Sequence, residues 1–267
     1  MRVRTIWIGM LAMALAASIT ACGGKKDDLD SPDAGSGAAA TGGGPKVDAA
    51  TAGNIEGVVS FEGMAPKNEP IKMNADPVCV KENATPQTQE TWMVADGKLG
   101  NVFVYVKEGL SGYKFDAPTT PVTIDQKECR YHPHVFGVQV GQPIEILNSD
   151  PTLHNIHAVA KNNREFNNGQ PLQNMKTTHT FTAPEVMVPF KCDVHGWMNA
   201  FVGVLNHPYF AVTDATGTFT LKSLPAGTYT IEAWHEKLGT MTQTVTIGAK
   251  ETKDIAFAFK APAASTN

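Results

Sequence analysis

The chain has 267 residues and a formal net charge of −4, enough for one large or two modest hydrophobic cores. No basic stripe runs through it, so the electrostatic footprint of a nucleic-acid partner is missing. Charged residues make up only 18% of the chain while Thr, Val, Gly and Pro recur throughout, a balance suited to pleated strands and tight turns.

In chain order, residues 1–21 come first. Arg2 and Arg4 precede a short apolar run, Ile6 to Ile19, which ends in Ile19-Thr20-Ala21-Cys22. A basic start, a brief apolar core and small residues at a cut site predict a secretory signal peptide. The run falls short of the roughly 20 apolar residues of a spanning helix. Its ending resembles the lipobox of bacterial lipoproteins, which implies lipidation at Cys22 and membrane attachment there. An ordinary signal peptide with an incidental cysteine is the alternative. The expected location is the cell envelope, exported and lipid-anchored. With Gly23 rather than Asp after the cysteine, a double-membrane cell would hold it in the periplasm or on the periplasmic side of the outer membrane. Residues 22–53 are rich in Gly, Ala, Ser and Asp and carry no aromatic, so they cannot offset their ordering entropy and are expected to be a flexible tether.

From Asn54 onward short strands alternate with turn residues. Strands are expected at Ile55–Phe61, Asn101–Lys107, Val122–Ile124, Gly137–Val140, Ile144–Leu147 and Met187–Lys191. Others follow at Ala200–Leu205, Thr218–Leu221, Thr228–Ala233 and Thr242–Ile247. Asn162–Met175 is the one stretch with room for a turn or two of helix. This spacing predicts an all-β fold of sandwiches.

The segment Pro189-Phe190-Lys191-Cys192-Asp193-Val194-His195-Gly196-Trp197-Met198 delivers a cysteine from a strand into a tight loop that also holds a histidine and a methionine. Upstream, Asn148-Ser149-Asp150 ends a strand and His154-Asn155 follows. A thiolate, two imidazoles and a thioether are the donors of a trigonal copper site with a long axial Met. The pattern resembles the cupredoxins of the plastocyanin and amicyanin type over residues 113–206. That resemblance implies a Greek-key sandwich and one mononuclear type 1 copper site on His154, Cys192, His195 and Met198. It also implies that Asn148 and Asn155 brace the ligand loops. His157 is an alternative ligand; if it replaced Met198, the Cys-His₃ set would suit zinc or another copper class. On an extended segment, residues three apart tend to face opposite ways.

With Cys22 assigned to lipid and Cys192 to metal, Cys79 and Cys129 are the remaining pair. An exported chain permits a disulfide between them, and closing that loop would stabilise by roughly 4 kcal/mol. The rival use of Cys129 is a second metal site with His132 and His134.

Thr213-Asp214…Gly217-Thr218-Phe219 and Leu224-Pro225-Ala226-Gly227-Thr228-Tyr229 resemble the carboxypeptidase regulatory-like (transthyretin-like) β-sandwich. Gly53 to Val59 resembles its first strand. Residues 54–112 are then an N-terminal β segment, 207–260 the regulatory-like portion and 261–267 a disordered tail. The regulatory-like sandwich is either split around the copper module or follows it. No zinc-peptidase motif is present, and no enzyme activity is expected.

The cupredoxin resemblance implies a one-electron carrier that docks on a redox protein through an apolar patch around Trp197 and Phe201. Two alternatives stand beside it. One is copper delivery or buffering through a copper-exchange partner, and the other an envelope interaction module with a structural metal.

Overall fold

The computed structural model describes residues 44–262. The signal peptide, Cys22, most of the tether and the last five tail residues lie outside the described residues. Among the described residues no helix is long and apolar enough to cross a membrane.

The fold is all-β and consists of two sandwiches, each a five-stranded sheet against a four-stranded one. Strand Gly53–Glu62 turns Ile55, Val59 and Phe61 inward, as alternation on a half-buried strand requires. It pairs antiparallel with Thr218–Leu224 and parallel with Thr252–Lys260. The facing sheet runs Phe210–Val212, Phe103–Glu108, Gly227–His235, Gly239–Ile247. Val59, Leu99, Val104, Leu221, Tyr229, Ile231 and Phe257 fill the space between. This outer sandwich therefore draws strands from both sides of residues 113–206.

Those intervening residues make the second sandwich. Its five-stranded sheet runs Phe166–Gln170, His154–Ala158, Glu185–Lys191, Asn199–Leu205, Val135–Gln139. The other runs Met175–Thr180, Pro143–Asn148, Val122–Lys127, Arg130–His132. Ile124, Tyr131, Phe136, Ile146, Ile156, Phe181 and Phe190 form its core. Asn162–Met175, the stretch with room for a helical turn, instead carries strand Phe166–Gln170 and the bend before the next strand. Pairing with His154–Ala158 gives its backbone groups partners that a short polar helix would lack. Strand Thr252–Lys260 was not anticipated, although Ile255, Phe257 and Phe259 alternate along it.

The two sandwiches meet through aromatic rings pressed on glycines. Gly203 and Gly137 are register partners on neighbouring strands. A Cβ on Gly203 would stand 2.3 Å from Phe103, and one on Gly137 would stand 2.4 Å from Phe210. Only residues without a side chain allow the rings this close. Tyr105, Val135, Met187, Leu205 and Trp234 pack around this contact.

The single described α-helix, Pro77–Glu82, lies in neither sandwich. Asp76 caps it by accepting from Val78 N at 2.8 Å, with Pro77 in its first turn, the expected chemistry of a helix start. With six residues it is too short to show a periodicity. A disulfide, Cys79–Cys129, staples it to the turn between Val122–Lys127 and Arg130–His132.

Candidate metal centre

Two loops at one end of the inserted sandwich build the site. Asn148 ends strand Pro143–Asn148, and its amide donates to the carbonyls of Thr152 and Gln170, both at 2.9 Å. Its Oδ1 accepts from Asp150 N at 3.0 Å. This fixes the bend that leads into His154. The second loop leaves strand Glu185–Lys191 at Cys192 and closes on itself. Met198 N donates to His195 O at 2.9 Å, and Cys192 N donates to Met198 O at 3.2 Å.

His154, Cys192 and His195, all buried, bring one donor atom each within 4.8 Å of one another. The two histidine Nδ1 atoms face each other at 2.9 Å. The backbone N–H of His195 donates to Cys192 Sγ at 3.3 Å. Asn155 Oδ1 accepts from Asp193 N at 2.8 Å and lies 3.2 Å from Cys192 Sγ. Met198 is buried in the same cluster as Cys192. Asn148 and Asn155 thus hydrogen-bond within the two loops that carry His154 and Cys192.

Each imidazole has a carboxylate on its outer nitrogen. His154 Nε2 lies 2.8 Å from Asp150 Oδ2, and His195 Nε2 lies 3.0 Å from Asp76 Oδ2. Both carboxylates are themselves fixed. Asp150 accepts from Glu128 N and Cys129 N at 2.8 Å each. Asp76 accepts from Val78 N and from Thr152 Oγ1, the latter at 2.9 Å. Such partners set the tautomer and orient the ring for a metal on the opposite nitrogen.

Burial alone would push the Cys192 thiol up, but hydrogen bonds from His154 and His195 and from backbone N–H groups outweigh it and bring it down to about 6. Burial likewise works to lower His154, while its bonds to Asp150 and Cys192 leave it raised. Asp150 and Asp76 are pushed up by burial, yet their hydrogen bonds hold both below the ordinary carboxylate value. The Tyr131 hydroxyl donates to Asn155 O beside the thiolate, and burial first, then the Cys192 charge, raises it.

A thiolate and two imidazole nitrogens aimed at one enclosed point, with a methionine alongside, form a soft donor set. It fits copper and does not fit a hard cation that seeks oxygen ligands.

Several expectations need correction. His157 points away from this point: its Nδ1 lies 3.0 Å from Asp193 and its other nitrogen bonds Glu165, so it is no alternative ligand. Trp197 and Phe201, expected in a docking patch, are both half-buried. The Trp197 ring sits 5.0 Å from the His195 ring and packs on the disulfide, and its Nε1 donates to Cys129 O at 2.9 Å. Phe201 lies 5.1 Å from Trp234 of the outer sandwich. His195 does not reach the surface either, being 3% exposed beneath Asp76 and Cys79. Cys129 is committed to the disulfide and His134 pairs with Glu236 at 2.7 Å, so the rival Cys129–His132–His134 site does not form. Sequence reasoning passed over Asp150 as a histidine partner, although it stood in the Asn-Ser-Asp motif. For Asp76 the only local signal was its place before a proline.

Residues 198–260 match the carboxypeptidase regulatory-like domain. The match begins at Met198, just before strand Asn199–Leu205, which pairs within the inserted sandwich, and it does not reach the early strands Gly53–Glu62 and Phe103–Glu108. No curated protein sequence matches the chain. Among solved structures, a copper-containing nitrite reductase from Thermus scotoductus SA-01 is similar over 56% of this chain at 16% identity, with a TM-score of 0.31. This chain spans only 28% of that enzyme. A Cu(I) form of an amicyanin mutant is similar at 21% identity and a TM-score of 0.29, over 38% of this chain and 97% of its own. A purple cupredoxin from Nitrosopumilus maritimus is similar at 23% identity and a TM-score of 0.27, over 31% of this chain and 98% of its own.

Proposed function

We propose that this chain is a copper protein of the cell envelope, lipid-anchored through Cys22, that carries single electrons and catalyses no reaction of its own. His154, Cys192 and His195 would hold the ion, with Met198 as the axial ligand of one mononuclear type 1 site. The observation that carries this reading is the buried convergence of a low-pKa thiol with two imidazoles, each backed by a fixed carboxylate. Bound copper would supply a couple between Cu(I) and Cu(II).

The chain's own residues do the rest. Asp150 and Asp76 accept hydrogen bonds from the Nε2–H groups and so leave both Nδ1 atoms free to donate electron pairs. The N–H of His195 and the groups around Asn155 steady the sulfur. Ligands held by closed loops cannot relax when the charge changes, which keeps reorganisation small. Full burial of His154, Cys192 and His195 also favours retention of the ion over exchange, so carriage is preferred to delivery. With Trp197 half-buried, a redox partner would approach over Leu153 and Val194. These neighbours of His154 and His195 are 43% and 48% exposed.

The test is reconstitution of the full chain with Cu(II). An intense visible band, lost in Cys192→Ser, and a reversible one-electron titration are expected. A colourless copper-loaded protein with its ligands intact would rule the assignment out.

A further inference from the structure

The disulfide that caps the site has surroundings that a simple staple does not need. Cys79 and Cys129 are both fully buried, and Met73, 8% exposed, packs with them in one small cluster. Three sulfur-bearing side chains therefore share one buried cluster, with Ile71 and Trp197 packed against it. Polar groups approach from the other side. Cys79 Sγ stands with Asp76 and His195, and Cys129 Sγ with Asp150 and His154, donor atoms in each group lying within 4.8 Å.

The disulfide is not all that holds the two halves together. Asn83 Nδ2 donates to Cys79 O at 2.9 Å and to Glu128 O at 3.1 Å, bridging the helix to the turn. Asp76 is tied to Thr152, and Trp197 to Cys129 O. Asp150 grips the backbone N–H groups of Glu128 and Cys129, where both residues adopt positive φ. With the sulfur–sulfur bond cleaved, these contacts would still present the two sulfurs side by side.

We propose that Cys79, Cys129 and Met73 are a latent second metal site, specific for Cu(I), masked as long as the disulfide stands. Soft thiolate and thioether donors in an apolar pocket select Cu(I) over harder ions. A dithiol reductant opens the site by exchange. The protein disulfide gains two electrons and two protons to give two thiols, and the dithiol becomes a disulfide. Cu(I) then displaces both thiol protons and binds the two sulfurs, with Met73 as the third donor. Access comes from local opening of the helix, whose outer side is solvent-exposed at Val80, Lys81 and Glu82. The site shares no ligand with the one built on Cys192, although Cys79 Sγ lies 3.7 Å from His195 Nε2, and its existence does not depend on electron carriage there.

The test counts Cu(I) held by the full chain against a competing chelator, before and after a phosphine reductant, with free thiols titrated in parallel. One equivalent is expected before reduction and two after. Cys79→Ser/Cys129→Ser should stay at one under both conditions, which also accounts for any contribution from Cys22. Met73→Leu keeps the packing and removes the thioether, so it should weaken only the second equivalent. Failure of the first equivalent would count against the Cys192 site and leave the gain on reduction readable. Two freed thiols with no added copper would overturn the proposal, as would a disulfide that the reductant cannot open in the folded chain.

Discussion

Cys192 carries the sharpest signature of the site. Its folded value near 6 lies below the ordinary thiol value of 9.0. The folded metal-free chain therefore binds fewer protons at this sulfur than the unfolded chain between those limits. Its contribution to stability is present in full above pH 9 and fades as pH falls through about 6. Ultraviolet thiolate absorbance of the metal-free protein should titrate with a midpoint near 6; a midpoint near 9 would contradict the hydrogen-bond environment described. This residue and its partners were legible because Cys192, His195 and Met198 share one loop, and His154-Asn155 follows a strand end. Asp76 was not legible, since 119 residues separate it from His195 and no local pattern reports so distant a contact.

The six-residue helix matters more than its length suggests, because it places a charge and a wall over His195. Asp76→Asn separates these roles. Asn caps helices as well as Asp does, so the helix should persist while the anionic partner of the imidazole is lost. A carboxylate on Nε2–H makes the ring a stronger donor and favours Cu(II) over Cu(I). In the copper-loaded chain the variant should therefore have a higher reduction potential and bind Cu(II) about 10–100-fold more weakly. An unchanged potential in a potentiometric titration would show that Asp76 is only a cap. The same helix changes the surroundings of the expected docking patch. The loop around Trp197 reads as an exposed apolar tip in sequence, but Trp197 packs against the cluster that holds Cys79 of the helix.

Alternation and turn residues made many strands of both sandwiches readable, and with them the possibility that one is split around the other, but not His154–Ala158, Phe166–Gln170, Met175–Thr180 or Thr252–Lys260. What pattern alone could not supply is the contact between them. Gly137 and Gly203 look like ordinary strand glycines until Phe210 and Phe103 are placed on their backbones. Gly203→Ala should cost about 1–3 kcal/mol by overpacking, measured as a lower denaturant midpoint. A variant as stable as the parent would mean that the rings yield easily and the sandwiches are loosely joined.

The parallel pairing of Gly53–Glu62 with Thr252–Lys260, in register from Asn54 with Thr252 to Glu62 with Lys260, bears on how the chain folds. The outer sheet cannot close until its last strand has been synthesised, and its first strand must wait through nearly the whole sequence for that partner. Such distant pairing is slow to find. The inserted sandwich needs only residues 122–205 and can form while both halves of the outer one are still unpaired. The topology thus predicts folding from the inside outward, with protection of the inserted sandwich's amides in pulsed hydrogen exchange appearing before that of Gly53–Glu62.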